Sequence, residues 1–341
     1  MDEHPYDRLS PELILEAVET TGLITSGQML ELNSYENRVI QIGIDEHPGI
    51  VAKFYRPYRW SNECILEEHE FSEALSDSDI PVIAPLRFND HSLIAHESFR
   101  FALFPRRGGR SPDLDNLDQL EWIGRLLGRI HKLGSEVPFT HRPDISVQRL
   151  GRDAQRAVLK SAQCPMEYKQ RYESISNQLI DTCEVLFDEI KPTSIQLHGD
   201  CHPGNILWTD AGPHFVDMDD CANGPAIQDL WMLITGDNHE KLIQWETLLE
   251  GYETFHQFDR RELRLTEALR SLRQLHYTAW LTQRWQDPAF PRAFPWFEER
   301  SYWEGYLADL TQQLEKLLNA EIPQLGGNFK NRYQTNRGYR S

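Results

Sequence analysis

Apolar and polar positions change their period along this chain, and the change falls close to residue 105. Leu13, Ile14, Ala17 and Val18 recur at helical spacing behind Ser10-Pro11-Glu12. A serine cap, a proline in the first turn and an early acid predict a helix start there, with Gly22 as its stop. The period then shortens to two. Residues 28–32 predict a strand, Asn33-Ser34-Tyr35-Glu36-Asn37 a turn, and residues 38–44 a strand with Ile40, Ile42 and Ile44 on one face. The Asp, Pro and Gly within residues 45–49 predict a turn. A third strand over residues 50–55 carries Lys53. Residues 62–75 predict a helix with Ile65, Phe71 and Leu75 near one face. Pro81 and Pro85 bracket a short extended piece, and residues 98–104 predict another strand.

Beyond Pro105-Arg106-Arg107-Gly108-Gly109-Arg110, a natural joint, the pattern turns helical. Trp122, Ile123, Leu126, Leu127 and Ile130 share a helical stripe, and long helical patterns occupy residues 165–189 and 262–284. A short β insertion lies between those two. The expected class is α+β in two lobes: a small β-rich lobe over residues 1–104, a joint at 105–110 and a larger, mainly helical lobe over 111–325. From Gly326 the chain is polar and Gly/Asn-rich, and a disordered tail is expected over 326–341. No internal repeat interrupts this order.

Composition narrows the function. The 341 residues, at roughly 100–200 per domain, allow two or three domains. Nine Trp and fifteen Phe supply apolar surface for a packed core and argue against disorder. A net charge of -18 disfavours sequence-independent nucleic-acid binding and docking on anionic membranes, since both call for Lys and Arg. Local basic runs at Arg106, Arg107 and Arg110, and at Lys330, Arg332, Arg337 and Arg340, do not change that balance. No apolar stretch is long enough to span a membrane, and the acidic start Met1-Asp2-Glu3-His4-Pro5 does not look like a signal peptide. Five widely spaced cysteines without a CxxC read as reduced thiols, so a cytoplasmic protein is expected, acting as a monomer.

The candidate chemistry lies in residues 194–220. His198-Gly199-Asp200 follows a short apolar strand, and Pro203-Gly204 turns the chain. Residues 205–208 and 214–217 can pair as a hairpin across Asp210-Ala211-Gly212-Pro213. That pairing brings Asn205 and Asp217 toward the loop that holds Asp200. Two carboxylates and an amide oxygen near one point suit a hard cation such as Mg²⁺ together with a base. Phosphoryl transfer needs this combination, to neutralise phosphate charge and to orient the attacking hydroxyl. Taken singly, each part has a plainer reading: an Asp before a turn is commonly a cap, and a bare DxD decides nothing. His198 and His202 suggest zinc, but Pro203-Gly204 breaks a common helix and no HExxH is present. In combination the spacing is far more specific.

These residues resemble the aminoglycoside phosphotransferase and choline kinase superfamily, whose fold is similar to that of protein kinases. Further blocks resemble the bacterial stress response kinase A family of serine/threonine protein kinases. They are Leu32 to Val39, Val51-Ala52-Lys53-Phe54-Tyr55-Arg56-Pro57, Gly224 to Met232 and Asp287-Pro288-Ala289-Phe290-Pro291. The resemblance spans about residues 30 to 300.

The resemblance implies a protein-kinase-like two-lobed fold binding ATP and Mg²⁺. It implies Asp200 as the catalytic base and Asn205 and Asp217 as metal ligands. It implies Lys53 at the α- and β-phosphates, with a helical Glu as its partner. Among Glu67, Glu68 and Glu70, the spacing back from Pro81 favours Glu68, leaving the other two as solvated helix positions. The turn at 33–37 lacks the glycines of a kinase phosphate loop, so Ser34 and Tyr35 are expected to substitute through backbone and hydroxyl groups. Phe104 and Arg106 fall where an adenine-binding hinge would lie, with Arg106, Arg107 and Arg110 as a solvated, flexible joint. Asp219 is open between a second-ion ligand and a structural carboxylate. Cys201, beside acids, is expected to be an inert thiol.

The implied activity is a serine/threonine protein kinase that autophosphorylates and acts in bacterial stress response on protein substrates. A small-molecule kinase for an aminoglycoside, choline or homoserine-like alcohol is the alternative, since the same machinery serves both. A pseudokinase is disfavoured because Lys53, Asp200, Asn205 and Asp217 are all present.

Overall fold

The computed structural model describes residues 6–320 and Pro323. The tail expected over 326–341, with its basic residues, lies outside the described residues.

Helix α1 (Pro11–Glu19) starts at Ser10, whose Oγ accepts from the Leu13 amide at 3.2 Å. The strands β1 (Thr25–Glu31), β2 (Arg38–Ile44) and β3 (His47–Phe54) follow. Helix α2 (Asn62–Asp77) crosses to β4 (Ile94–His96) and β5 (Phe99–Pro105). These strands form one antiparallel sheet in the order β1-β2-β3-β5-β4. As the alternation predicts, Ile40, Ile42 and Ile44 all face one way and are buried with Ala52, Phe54, Phe101 and the α1 residues Ile14, Ala17 and Val18. The β2–β3 turn is tighter than the Asp-Pro-Gly signal predicts. Ile44 pairs with His47, so Asp45 and Glu46 alone make the turn, with Glu46 at a positive φ of 61°. Two-residue hairpins favour that hand because it matches strand twist.

The remainder is mainly helical: α3 (Leu117–Gly134), α4 (Ala154–Lys160) and α5 (Met166–Ile190) lead to the short strands β6 (Ile195–Leu197), β7 (Ile206–Thr209), β8 (Gly212–Phe215) and β9 (Ala222–Gly224). Then come α6 (Asn238–Tyr252), α7 (Thr266–Arg284), α8 (Ala289–Ala293) and α9 (Arg300–Leu318). β7 pairs with β8, and β6 with β9. The β7–β8 turn is only Asp210-Ala211, since Gly212 and Pro213 already belong to β8.

Helices α3 and α6 lie in direct backbone contact. A Cβ at Gly124 or Gly128 would run into the carbonyl oxygens of Leu248 or Tyr252, so these positions must be glycine for the helices to approach. α6 escaped the periodicity reading because its apolar and polar residues are poorly segregated around the helix. A local signal was available: Asp237 and Glu240 form a reciprocal capping box. The joint also differs from expectation. Arg106, Arg107 and Arg110 are exposed, but the Arg110 and Trp208 backbones exchange hydrogen bonds of 3.1 and 2.7 Å. The segment is therefore anchored beside β7 rather than loose. Among the described residues no helix is long and apolar enough to cross a membrane.

Candidate active site

Lys53 lies in β3, paired on both sides by β2 and β5, so its backbone is fixed across three strands. Alternation sends its side chain to the face opposite Ala52 and Phe54, toward α2. The ammonium is buried there among carboxylates: Nζ lies 2.9 Å from Glu68 Oε1, 3.0 Å from Asp219 Oδ1 and 3.8 Å from Asp217 Oδ1. Burial alone would lower the lysine, but Glu68, Tyr55 and Asp217 hold its pKa above the ordinary value. Burial would likewise raise Glu68, and Lys53 and Arg142 hold it below. Both groups are therefore charged at neutral pH. Asp219 is 4% exposed and is also paired with Arg59, which reaches Asp220 at 2.6 Å. That dense pairing favours the structural reading of Asp219. Of the competing helix acids, Glu67 is not simply solvated: its carboxylate accepts from the backbone amides of Thr140, His141 and Arg142. Glu70 is exposed.

The loop after β6 is held from beneath by a residue that the local motif does not reveal. The Asp229 carboxylate accepts from the His198 amide at 2.7 Å and the Gly199 amide at 2.8 Å, and His131 Nε2 lies 3.1 Å away. Gln228 donates to the Gly199 carbonyl at 2.8 Å. Gly199 has φ 84°, and a Cβ there would strike the Asp220 carbonyl, so the loop requires glycine at this point. The His198 ring contacts the Val216 carbonyl at 2.9 Å, which ties the loop to the end of β8. Asp200 follows with one oxygen 2.5 Å from an Arg273 guanidinium nitrogen and the other 3.6 Å from His202 Nε2. Cys201 is fully buried, and burial, then Asp229 and Asp200, push its thiol well above the ordinary value, so it is unreactive.

Asn205 spends its amide nitrogen on the Asp200 carbonyl at 3.0 Å, which leaves its side-chain oxygen as an acceptor. Its own carbonyl accepts from Val216 at 3.0 Å, placing Asp217 next along the neighbouring strand. Asp217 has φ 60° and ψ 64°, a left-handed conformation that costs a non-glycine residue about 1–2 kcal/mol. The conformation points its carboxylate back toward Lys53. Asp217 sits on the floor of a cleft: its side chain is 57% exposed, yet protein on both sides and nearby Asp220 and Glu68 outweigh Lys53 and raise its carboxyl. A cation at that carboxylate would relieve the strain of charge. One carboxylate and one amide oxygen, completed by phosphate oxygens and water, match the sparse protein ligation of Mg²⁺. No group of three or more His, Cys, Asp or Glu able to hold a metal occurs among the described residues.

Four other expected residues lie outside the Lys53 group. Ser34 is half-buried in the bend at the mouth of the sheet. Tyr35 is not brought to the Lys53 group: its ring packs 4.9 Å from Phe294, with Phe290 and Trp280 around it, and its carbonyl accepts from Arg56. The same loop is stitched to the helical part through Glu36, which accepts from Trp280 and from Arg284 at 2.9 Å. Phe104 is in β5, its ring packed with Tyr55, Ile65 and Ala102. Arg106 is exposed just past the strand. The sequence reading also missed a cationic flank. Besides Arg273, Arg149 is half-buried with Arg59 and Arg142 near it and makes no ion pair with a carboxylate among the described residues. His276, one turn along α7 from Arg273, lies among Arg149, Arg59 and Arg273 and is pushed down to about 4 by burial and by these cations.

A model of a phosphotransferase enzyme family matches residues 29–266. The chain is 43% identical over 312 residues to the serine/threonine protein kinase RdoA of Salmonella typhimurium, covering 92% of this chain and 94% of that one. The same figures relate it to stress response kinase A of Escherichia coli strain K12. Among solved structures, it is similar to amicoumacin kinase hAmiN in complex with AMP-PNP, Ca²⁺ and Ami, with TM-score 0.69 and 18% identity over 94% of this chain and 96% of that one. A microcompartment-associated aminopropanol kinase also superimposes at TM-score 0.69, with 17% identity over 90% of this chain and 97% of the other.

Proposed function

The chain belongs to the phosphotransferase enzyme family, within the stress response kinase A group, and we propose that it is a serine/threonine protein kinase that uses ATP and Mg²⁺. That it is a phosphotransferase of the kinase kind follows from the family. The protein acceptor, autophosphorylation, a role in stress response and a cytoplasmic setting are the finer reading. The relatives at 43% identity support the protein acceptor and the stress role, since one is named a serine/threonine protein kinase and another a stress response kinase. The small-molecule alternative rests on structures at 18% and 17% identity, which speak for the fold alone.

In this reading residues 1–104 form the nucleotide-covering lobe, 105–110 the hinge and 111–325 the catalytic lobe. Backbone groups near Phe104 and Arg106 meet the adenine. Ser34 and the backbone around Tyr35 cover the phosphates. Lys53, kept charged and positioned by Glu68, contacts the α- and β-phosphates. Asn205 and Asp217 would hold Mg²⁺, which would supply positive charge against the phosphates. Asp200 accepts the proton of the acceptor hydroxyl as its oxygen bonds to the γ-phosphorus, and the bond from that phosphorus to the bridging oxygen of ADP breaks. Arg273 must release or share the Asp200 oxygen for this to happen.

The supporting observation is the convergence of Lys53, Glu68 and Asp217 within 3.8 Å at one end of a loop that presents Asp200. The test incubates the purified protein with γ-labelled ATP and Mg²⁺, with and without protein acceptors or amino alcohols. Label on protein that disappears in Asp200→Asn is expected. Label confined to a small alcohol would overturn the protein-kinase reading.

A further inference from the structure

Two arginines flank the Asp200 loop: Arg273 on α7, and Arg149 on the turn packed against that helix. Arg273, 45% exposed on α7, has the Asp200 carboxylate as its partner at 2.5 Å. When an acceptor hydroxyl takes that oxygen, the guanidinium loses its counter-charge. Arg149, on the π-helical turn Gln148–Asp153 that packs against α7, makes no close ion pair among the described residues, Asp220 and Asp144 acting on it from farther away, and its side-chain polar contact is a 3.5 Å approach to the Asp144 carbonyl. Burial, Arg59 and Arg142 destabilise its charged form, against Asp220. His276, on α7 three residues beyond Arg273, feels the charge of both arginines and of Asp220. Guanidinium groups are costly to leave half-desolvated without a close anion, and their planar forks match carboxylate and phosphate oxygens. The two arginines stand in a protein whose net charge is -18. Overall charge therefore does not explain them.

We propose that Arg149 and Arg273, with His276 near both, form a subsite for an anionic group carried by the acceptor beside the hydroxyl that is phosphorylated. The acceptor is then a serine or threonine with a neighbouring carboxylate or phosphate. This rests on Asp200 being the base. It reverses the choice that the acidic net charge suggests, since a cationic acceptor would meet two guanidinium groups next to the reacting hydroxyl.

The test compares four serine peptides that differ at one neighbouring position: Glu, phosphoserine, Ala or Lys. In the wild type, kcat/KM for the two anionic peptides should exceed that for the Lys peptide by at least about tenfold, mainly through KM. The ranking between Glu and phosphoserine assigns carboxylate or phosphate as the favoured group. Arg149→Glu should reverse the order toward Lys, and Arg149→Gln should flatten it. Calorimetric titration of the phosphoserine peptide into protein with ADP and Mg²⁺ should show the same loss without turnover, and ATP affinity reports that each variant is folded. An unchanged ranking in both variants, or a wild-type preference for Lys, overturns the proposal. Weakened ATP binding with unchanged peptide ranking assigns Arg149 to the nucleotide and overturns it too. If no peptide is labelled but small alcohols are, the protein-kinase reading fails separately. Glycerol 3-phosphate against ethanolamine then decides the subsite by the same comparison.

Discussion

Two buried glutamates in this molecule meet opposite fates. Glu68, on α2 in the cleft, and Glu262, before α7 in the helical part, are 2% and 3% exposed. Burial pushes both carboxyls up. Lys53 and Arg142 reverse the push at Glu68 and hold it below its ordinary value. Glu262 has only backbone amides, chiefly that of Ile227 at 3.0 Å, and the exposed Arg261 beside it, and it rises to about 7. The lesson is that depth does not set charge here; cations do. The cleft keeps Glu68 ionised while dry, so that it can hold the Lys53 ammonium in place. The helical part tolerates a carboxyl that is neutral over much of the acid range.

That contrast can be broken at its strongest point. Lys53→Met leaves Glu68 and Asp219 buried with one cation fewer, and should cost about 3–5 kcal/mol by urea unfolding while removing phosphoryl transfer. A loss under 1 kcal/mol would mean that Arg59 and Arg142 suffice. Next comes Glu262. Its native carboxyl titrates near about 7 against 4.5 for the ordinary group, so the native chain keeps a proton that the unfolded chain gives up. Stability should fall as pH rises through that window and level off above it. Glu262→Gln should remove the fall and add up to about 3 kcal/mol at pH 8. A pH profile unchanged by the substitution would place the titrating group elsewhere.

Smaller effects on stability sharpen the same comparison. Asp217→Asn keeps a residue that accepts the left-handed conformation and removes an exposed charge. Unfolding should shift by no more than about 1 kcal/mol, whereas Mg²⁺-dependent transfer should drop at least about 10²–10³-fold. Retained activity would mean that the metal is held elsewhere. Arg273→Gln, at the open side of Asp200, should change stability by about 0.5 kcal/mol or less, in contrast to Lys53.

Much of this was legible in the sequence where the signal is local. Ile40, Ile42 and Ile44 alternate because one face of β2 is buried, and the spacing of His198, Gly199, Asp200 and Asn205 is that of a single tight loop. The three-residue strands β4 and β9 are too short to show a period. α6 and α9 lack the clean segregation that makes α3 readable. Tyr35 is expected near the phosphates because its turn stands where the resemblance implies a phosphate loop; what no local pattern shows is that an aromatic cluster built from residues 280–294 packs around its ring.

The sequence by itself singled out the candidates Lys53, Asp200, Asn205 and Asp217, each marked by its immediate neighbours, and the alternation that sends Lys53 to the face opposite the α1 core. Only the tertiary structure decided which charges meet. It chose Glu68 over Glu67 and Glu70 through the rotation of α2 about its axis. It put Asp229 under the His198–Gly199 amides, and it set Arg273 against Asp200 from a position 73 residues away along the chain. Charge pairing falls off with distance in space, not along the chain, and burial sharpens it. A one-dimensional pattern therefore announces a reactive group but not its counter-ions.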